Sequence, residues 1–182
     1  NAVVTSYCMQ AVLCAYNLTK NNKYLHIGIN SGEFFLKDLN RNHDGGLFFS
    51  YSPIDYSTVY NVSALIAKSL SLIYSHTKDE KYKTIASQVI CSVISKQHQN
   101  GSWIYGQARM QTWVDSFHTA YILESIYEYD RLTGDNSFKE HFEKGLDFYL
   151  KNFFEGDGIP KYFDNETFPV DIHCPAQFFV TL

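Results

Sequence analysis

The chain contains no run approaching the roughly 18 consecutive apolar residues of a membrane helix, so no helical membrane span is expected. None of its four cysteines, Cys8, Cys14, Cys91 and Cys174, forms a C-x-x-C pair, so neither a zinc ribbon nor a redox dithiol is signalled. Basic residues number 15 against 19 acidic ones, a net charge of -4 without a basic cluster, and a nucleic-acid partner would require such a cluster. No P-loop, nucleophile elbow or dinucleotide fingerprint occurs. The first residue is Asn1 rather than Met and no signal-peptide pattern is present, so the expectation is that processing or trimming has removed the true start.

Cys8, Cys14 and Cys91 lie in apolar runs and are expected to be reduced core residues. N-x-[ST] triplets occur at Asn17, Asn61, Asn100 and Asn165. Asn61 sits inside an apolar helical run where a glycan would not fit, so the triplets are read as chance. These observations together place the protein in a reducing, cytoplasmic compartment.

Aromatic residues are abundant: 14 Tyr, 14 Phe and 2 Trp in 182 residues, enough chain for one domain with a real core. A repeat can be read directly. Leu18-Thr19 then Tyr24, His76-Thr77 then Tyr82, and Leu132-Thr133 then Phe138 are one motif three times, with the threonines 58 and 56 residues apart. Asp44-Gly45, Asn100-Gly101 and Asp157-Gly158 recur at 56 and 57, and Phe49, Tyr105 and Tyr162 each follow their glycine by four. Tyr7, Tyr60, His118 and His173 recur at 53, 58 and 55.

Between these marks the pattern is helical. Residues 2–19, 57–76, 115–132 and 172 onward are apolar on more than one face, as buried helices are. Residues 22–40, 79–97 and 135–154 are more amphipathic. Ser57/Thr58, Asp115/Ser116 and Asp171 mark helix starts, with Pro175 near a first-turn position. The unit is thus a helical hairpin of about 56 residues that stacks on its neighbours to bury its apolar surface. The expected fold is all-α, repeated helical hairpins forming part of an α/α toroid. Residues 1–182 make one domain with repeats at about 1–56, 57–114 and 115–171 and a fourth starting at 172. A six-hairpin ring needs roughly twice this length, so the chain is read as a fragment of a longer toroid or as one that closes by self-association.

In such a ring the buried helices run one way and their N-termini gather at one mouth, where partial positive charge favours anionic groups. Asp115, His118, Asp171 and His173 are the candidate catalytic residues there. His118 would transfer the proton, Asp115 would orient it, and Asp171 and His173 would act across the funnel. Tyr60, Trp103, Tyr105, Arg109, Trp113, Lys161 and Tyr162 are the candidate substrate-binding residues, because aromatics stack on a sugar ring and Arg109 or Lys161 can meet an anionic sugar. Each has a structural alternative. Asp115 and Asp171 suit helix caps, Tyr60 suits packing, and Trp103 after its glycine turn suits a plug at a hairpin end. Paired carboxylates for glycoside hydrolysis are open to Asp115 and Asp171. No cofactor is expected; the alternative is zinc on Asp171, His173, Cys174 and His118.

Two resemblances rest on these residues. Gln97-x-x-x-Gly101-x-Trp103 resembles the repeat motif of terpenoid cyclases and prenyltransferase-like α/α toroids, in which it is structural. The acidic D-x-D-D cluster of squalene–hopene-type cyclases is absent, which counts against cyclase chemistry. Gly101-Ser-Trp-Ile-Tyr-Gly, Trp113-Val-Asp-Ser-Phe-His-Thr, Leu132-Thr-Gly-Asp, Pro160-Lys-Tyr-Phe and Asp171-Ile-His together resemble bacterial α/α-toroid proteins that accompany surface-polysaccharide biosynthesis and are similar to six-hairpin glycosidases. This resemblance implies the toroid fold and a carbohydrate partner, and it carries over no catalytic residue. The function expected is a hydrolase, lyase or epimerase acting on an oligo- or polysaccharide. The alternatives are a cyclase or prenyl-type enzyme, or a non-catalytic sugar-binding toroid.

Overall fold

The computed structural model describes residues 1–181. Among these residues seven helices follow one another: α1 (Ala2–Thr19), α2 (Asn22–Lys37), α3 (Tyr60–Thr77), α4 (Glu80–Ile94), α5 (Ser116–Thr133), α6 (Lys139–Asn152) and α7 (His173–Thr181). The only sheet among the described residues is a two-residue antiparallel pair, Arg41–Asn42 (β1) on Phe48–Phe49 (β2). Helices α1, α3, α5 and α7 pack side by side in that order, and α2, α4 and α6 each pack outside the odd helix that precedes them. This is an all-α arrangement of hairpins forming part of an α/α toroid.

The Thr motif has a local cause. Thr19, Thr77 and Thr133 return their hydroxyls to the carbonyls of Ala15, Ile73 and Tyr129, at 2.7, 3.0 and 2.7 Å. The next residue, Lys20, Lys78 or Gly134, turns left-handed with φ of 56°, 58° and 71°. Its N–H reaches back to Tyr16, Tyr74 or Asp130, which satisfies a carbonyl at the helix end. The third residue, Asn21, Asp79 or Asp135, accepts from the backbone of Lys23, Lys81 or Ser137. One tripeptide therefore ends one helix and begins the turn into the next.

Burial differs between repeats. In α3 every residue from Tyr60 to Ser71 is buried, because α1, α4 and α5 surround it. In α1 only Ala2, Ser6, Met9 and Leu13 are buried. Its apolar character on several faces exceeds what α2 and α3 cover. Cys8 and Cys14 lie on the uncovered side, and Cys91 lies on the outer face of α4. These three cysteines are exposed, against expectation, and Cys174 is the buried one. Ser57 and Thr58 do not cap α3. Its N-cap is Val59, which has no side-chain bond to give, and the helix starts at Tyr60.

The Gln97–Gly101–Trp103 motif locks the second hairpin to the third. The Gln97 amide donates to the carbonyls of Gly101 at 3.1 Å and His141 at 3.0 Å. The Trp103 indole is 2% exposed and donates to Val93 at 3.0 Å. Gly145 on α6 makes room for that ring, since a Cβ there would lie 2.7 Å from it. The outer helices are also tied by Glu33, which accepts from Lys81 and Tyr82, both at 2.8 Å. These bonds, led by the one from Lys81, hold its carboxyl at about 2.

Gly45, Gly101 and Gly158 share a positive φ of 74°, 98° and 87°. Only Gly101 and Gly158 close the same turn, each donating to the carbonyl three residues back, a bond that Gly46 makes in the first repeat, and their surroundings differ. A Cβ on Gly101 would stand 2.4 Å from the Lys144 carbonyl oxygen, whereas one on Gly158 would meet nothing. Gly158→Ala should therefore cost only the left-handed strain, about 1–2 kcal/mol. Gly101→Ala adds a backbone clash and should cost more, read as a clearly larger drop in denaturation midpoint. Equal losses at the two sites would contradict the packing described.

A pH dependence follows from the far end of α5. Burial, and then the charge of Asp135, raise the Asp130 carboxyl from 3.8 to about 6, and its Oδ1 is sealed without a partner among the described residues. A carboxyl raised on folding favours the folded state at low pH, and that contribution is lost as pH rises through about 6. Asp130→Asn should raise the melting temperature at pH 7.5 and do so much less at pH 4. An equal gain at both would show that the carboxyl titrates normally.

Candidate functional site

The N-terminal ends of the inner helices need partners for their free N–H groups. The loops supply them in the same way each time. Ala2, Tyr60 and Ser116 donate to the carbonyls of Tyr51, Tyr105 and Tyr162, at 2.9, 3.2 and 2.9 Å. Each long loop thus returns to the start of its own repeat and leaves a tyrosine there. The first member is Tyr51 rather than Phe49, because the β1–β2 turn lengthens that loop; Phe49 is 1% exposed in the core.

This register also corrects the alignment of Tyr7, Tyr60, His118 and His173. Tyr60 is the counterpart of Ser116, two residues before His118, and it is 4% exposed against Phe48 at a ring distance of 5.7 Å. Tyr60 and Trp103 are packing residues and do not wall the mouth.

Asp115 caps α5 and is 2% exposed. Its Oδ1 accepts from the backbone of His118 at 2.9 Å. Its Oδ2 receives the Trp113 indole N–H at 2.9 Å and lies 2.7 Å from His118 Nδ1. The carboxylate thus orients both a ring and an indole. Nε2 of His118 has no partner among the described residues and is not sealed in the core. Around the imidazole, Trp113 stacks on Tyr105 at 4.6 Å and 16°, Tyr105 meets His118 edge-on at 4.6 Å, and Phe117 lies 4.1 Å away. Trp113 is 38% exposed, so this aromatic wall faces solvent. Burial, then Tyr51, then Asp115 push the Tyr105 phenol up. The gap between Asn61, Tyr105, Asp115, His118 and Thr119 is too small to admit a water molecule. Asn61 is 5% exposed and its Oδ1 has no partner among the described residues.

The second pair is built alike and placed differently. His173 Nδ1 lies 2.7 Å from Asp171 Oδ1, which also accepts the His173 backbone N–H at 2.8 Å. These bonds, the backbone one first, lower the Asp171 carboxyl. The His173 side chain is 76% exposed, against 21% for His118. Tyr162 stands between the pairs. Its phenol is raised by burial first and then by Asp115 and Asp171, and its ring is 5.4 Å from Phe117.

Lys161 is turned along its own loop and donates to the Asp164 carbonyl at 2.8 Å. Arg109 is exposed on the loop between Gly106 and Gln111 and forms no ion pair among the described residues. Cys174 is buried, and burial raises its thiol. Among the described residues no three His, Cys, Asp or Glu side chains are arranged to hold a metal ion.

Sequence reasoning missed the stripe running down the inner helices. Tyr7, Leu65 and Tyr121 occupy one level, and Gln10, Lys68 and Glu124 the next, each triplet spaced by 58 and 56 residues. Tyr7 and Tyr121 approach edge-on at 6.4 Å. Lys68 Nζ meets Glu124 at 2.6 Å with both side chains mostly buried, and Gln177 of α7 donates to the other oxygen of Glu124 at 3.3 Å. The 58- and 56-residue steps could have found this stripe had they been applied to residues inside the helices and not only at their ends.

No family model matches the chain, and no curated protein matches it significantly. Solved structures do resemble it. A sugar epimerase from a ruminal bacterium is similar with a TM-score of 0.76 at 14% identity, over 94% of this chain and 49% of that one. The unsaturated glucuronyl hydrolase of Bacillus sp. GL1, described as responsible for the degradation of glycosaminoglycan, is similar at 0.73 and 11%, over 95% and 49%. A glycosyl hydrolase family 88 protein from Bacteroides vulgatus is similar at 0.70 and 14%, over 88% and 51%. The chain spans about half the length of these proteins and shares their α/α-toroid fold.

Asp115 and Asp171 head similar sequences but should respond differently to removal. Asp115→Ala strands the Trp113 indole N–H and the His118 backbone N–H, and should destabilise the fold by about 2–4 kcal/mol. It should also shift the emission of Trp113. Asp171→Ala should leave the melting temperature unchanged within error. A silent Asp115→Ala in both melting and fluorescence would show that the buried cap is not formed.

Proposed function

We propose that this chain forms the site-bearing part of a carbohydrate-acting enzyme in which His118 transfers a proton to or from a bound sugar. The observation that carries the reading is the Asp115–His118 pair. A buried carboxylate 2.7 Å from Nδ1 fixes the ring and leaves Nε2 accessible beside the exposed Trp113–Tyr105 stack. An oriented imidazole is the usual proton-transfer group near neutral pH, and a stacked aromatic wall suits the apolar face of a sugar ring. The solved structures of similar fold include a sugar epimerase, a polysaccharide lyase and hydrolases, which supports a carbohydrate substrate without choosing among them.

Within that class the geometry favours proton abstraction, as in epimerisation or β-elimination, over hydrolysis by two carboxylates. Asp115 has a fully buried side chain whose two oxygens are engaged by His118 and Trp113. It cannot reach a glycosidic oxygen, and its role is positioning. His173 with Asp171 is the second proton-handling pair, on the far side of Tyr162, and Tyr105, Trp113 and Tyr162 are the sugar-stacking residues. Arg109 is the charge partner should the substrate carry a carboxylate. The cyclase reading requires a greasy funnel, and the Lys68–Glu124 pair and Gln177 on the inner helices speak against one. Participation in surface-polysaccharide metabolism is part of this proposal and rests on the sequence resemblance, and a cytoplasmic location is part of it and rests on the cysteine and N-x-[ST] reading.

Turnover of a panel of oligosaccharides, scored for epimerised, unsaturated and hydrolysed products, tests the reading. His118→Ala should lower kcat at least about 100-fold, with Asp115→Asn intermediate and the sugar KM little changed. Full activity in His118→Ala would remove it from the mechanism. Binding without turnover by the unaltered protein would favour a sugar-binding toroid.

A further inference from the structure

Below the His118 dyad the inward stripe carries a level of polar side chains that the proton-transfer reading does not use. On α5 the partly exposed residues Phe117, His118, Tyr121 and Glu124 follow one another at helical spacing and so share one face. Their counterparts on α3, Asn61, Val62, Leu65 and Lys68, are all buried. Tyr7 from α1 and Tyr121 from α5 meet at this level, and both lie one step above the Lys68–Glu124 pair.

A buried ion pair need not stabilise a fold, because desolvation offsets its attraction. A largely buried pair of this kind therefore asks for a reason beyond stability. Two further observations point to a ligand. At the equivalent place on α1 the Gln10 amide nitrogen is sealed off without a partner among the described residues, and Asn61 Oδ1 two turns higher on α3 is in the same condition. Buried polar atoms are rarely left unpaired.

Resting on the carbohydrate reading above, we propose that Glu124 is a substrate-binding residue: its carboxylate accepts a hydroxyl of a neutral sugar, while Lys68 and Gln177 hold it in place. Among the described residues, Glu124 is engaged on Oε1 by the ammonium at 2.6 Å and on Oε2 only by the long 3.3 Å amide contact. A carboxylate oxygen has two lone pairs, so Oε2 retains capacity for a stronger donor such as a sugar hydroxyl. Neutrality of the ligand follows from the charges on this stripe. Its one cation, Lys68, is already neutralised by Glu124, and the dyad above adds the carboxylate of Asp115. A hexuronate would meet negative charge without a free cation on the stripe.

The test is binding measured by quenching of Trp113, with Trp103→Phe as background, using cellobiose as the neutral probe and glucuronate as the charged one. His118→Ala serves as a control that should keep cellobiose affinity within about threefold while losing turnover. Glu124→Gln should weaken cellobiose binding at least tenfold. Because this variant strands Lys68, it is paired with a Lys68→Met/Glu124→Leu double variant, which replaces both charges with apolar groups and should fold normally. If the pair is merely structural, the double variant melts near the parent temperature and binds cellobiose unchanged, and the proposal is overturned while the His118 reading stands. If it folds and loses cellobiose, the proposal holds. Glucuronate binding more tightly than cellobiose overturns the assignment of a neutral sugar. Failure of the unaltered protein to bind or turn over any sugar overturns both readings together.

Discussion

The structure depends on one backbone contact made three times: the first N–H of an inner helix bonded to the carbonyl of a tyrosine in the loop that closes the same repeat. A helix start leaves four N–H groups without intrahelical partners, and burying them unpaired is costly. The return of the loop settles one of them and has a geometric consequence. Each loop is drawn over the end of its own hairpin, so Tyr51, Tyr105 and Tyr162 stand at the N-terminal end of the inner helices. The aromatic mouth is thus a by-product of satisfying the backbone.

The same end of α5 shows how a capping residue becomes part of a site. Asp115 does what an N-cap does, accepting the backbone N–H three residues on. Its second oxygen is then free to hold an indole and an imidazole, and the return of Tyr162 to Ser116 helps keep water from it. The bridge between Asp115 and Phe163 adds a second link to that loop. At Asp171 the local chemistry is nearly identical, yet its histidine stands in solvent. Only packing separates an oriented, half-sheltered imidazole from an exposed one.

The hairpin ends show a parallel division. Thr19, Thr77 and Thr133 act entirely within their own turns, so the motif recurs with the same bonds wherever it is found. Gln97 and Trp103 act between hairpins, reaching α6 through His141 and Gly145. The glycine turns combine both kinds of requirement. Their positive φ is shared, whereas the crowding at Gly101 by the Lys144 carbonyl has no counterpart at Gly158.

The all-α hairpin repeat was legible from the sequence because its determinants are local: left-handed turns after threonine, caps on aspartate and asparagine, and apolar residues at helical spacing. The Asp115–His118 and Asp171–His173 pairs were legible for the same reason, being two or three residues apart. What lay beyond reach was which aromatic faces solvent and which fills the core. Trp103 and Trp113 are ten residues apart on the same loop, and only the position of Gly145 on α6 decides that the first is sealed and the second open. The register of Tyr60 against Ser116, and not His118, was hidden because α3 starts without a side-chain cap and leaves no mark at Val59. The Lys68–Glu124 contact joins residues 56 apart on two helices. Each reads alone as an ordinary charge on a helical face, and burial between neighbouring hairpins, which no local rule encodes, is what pairs them.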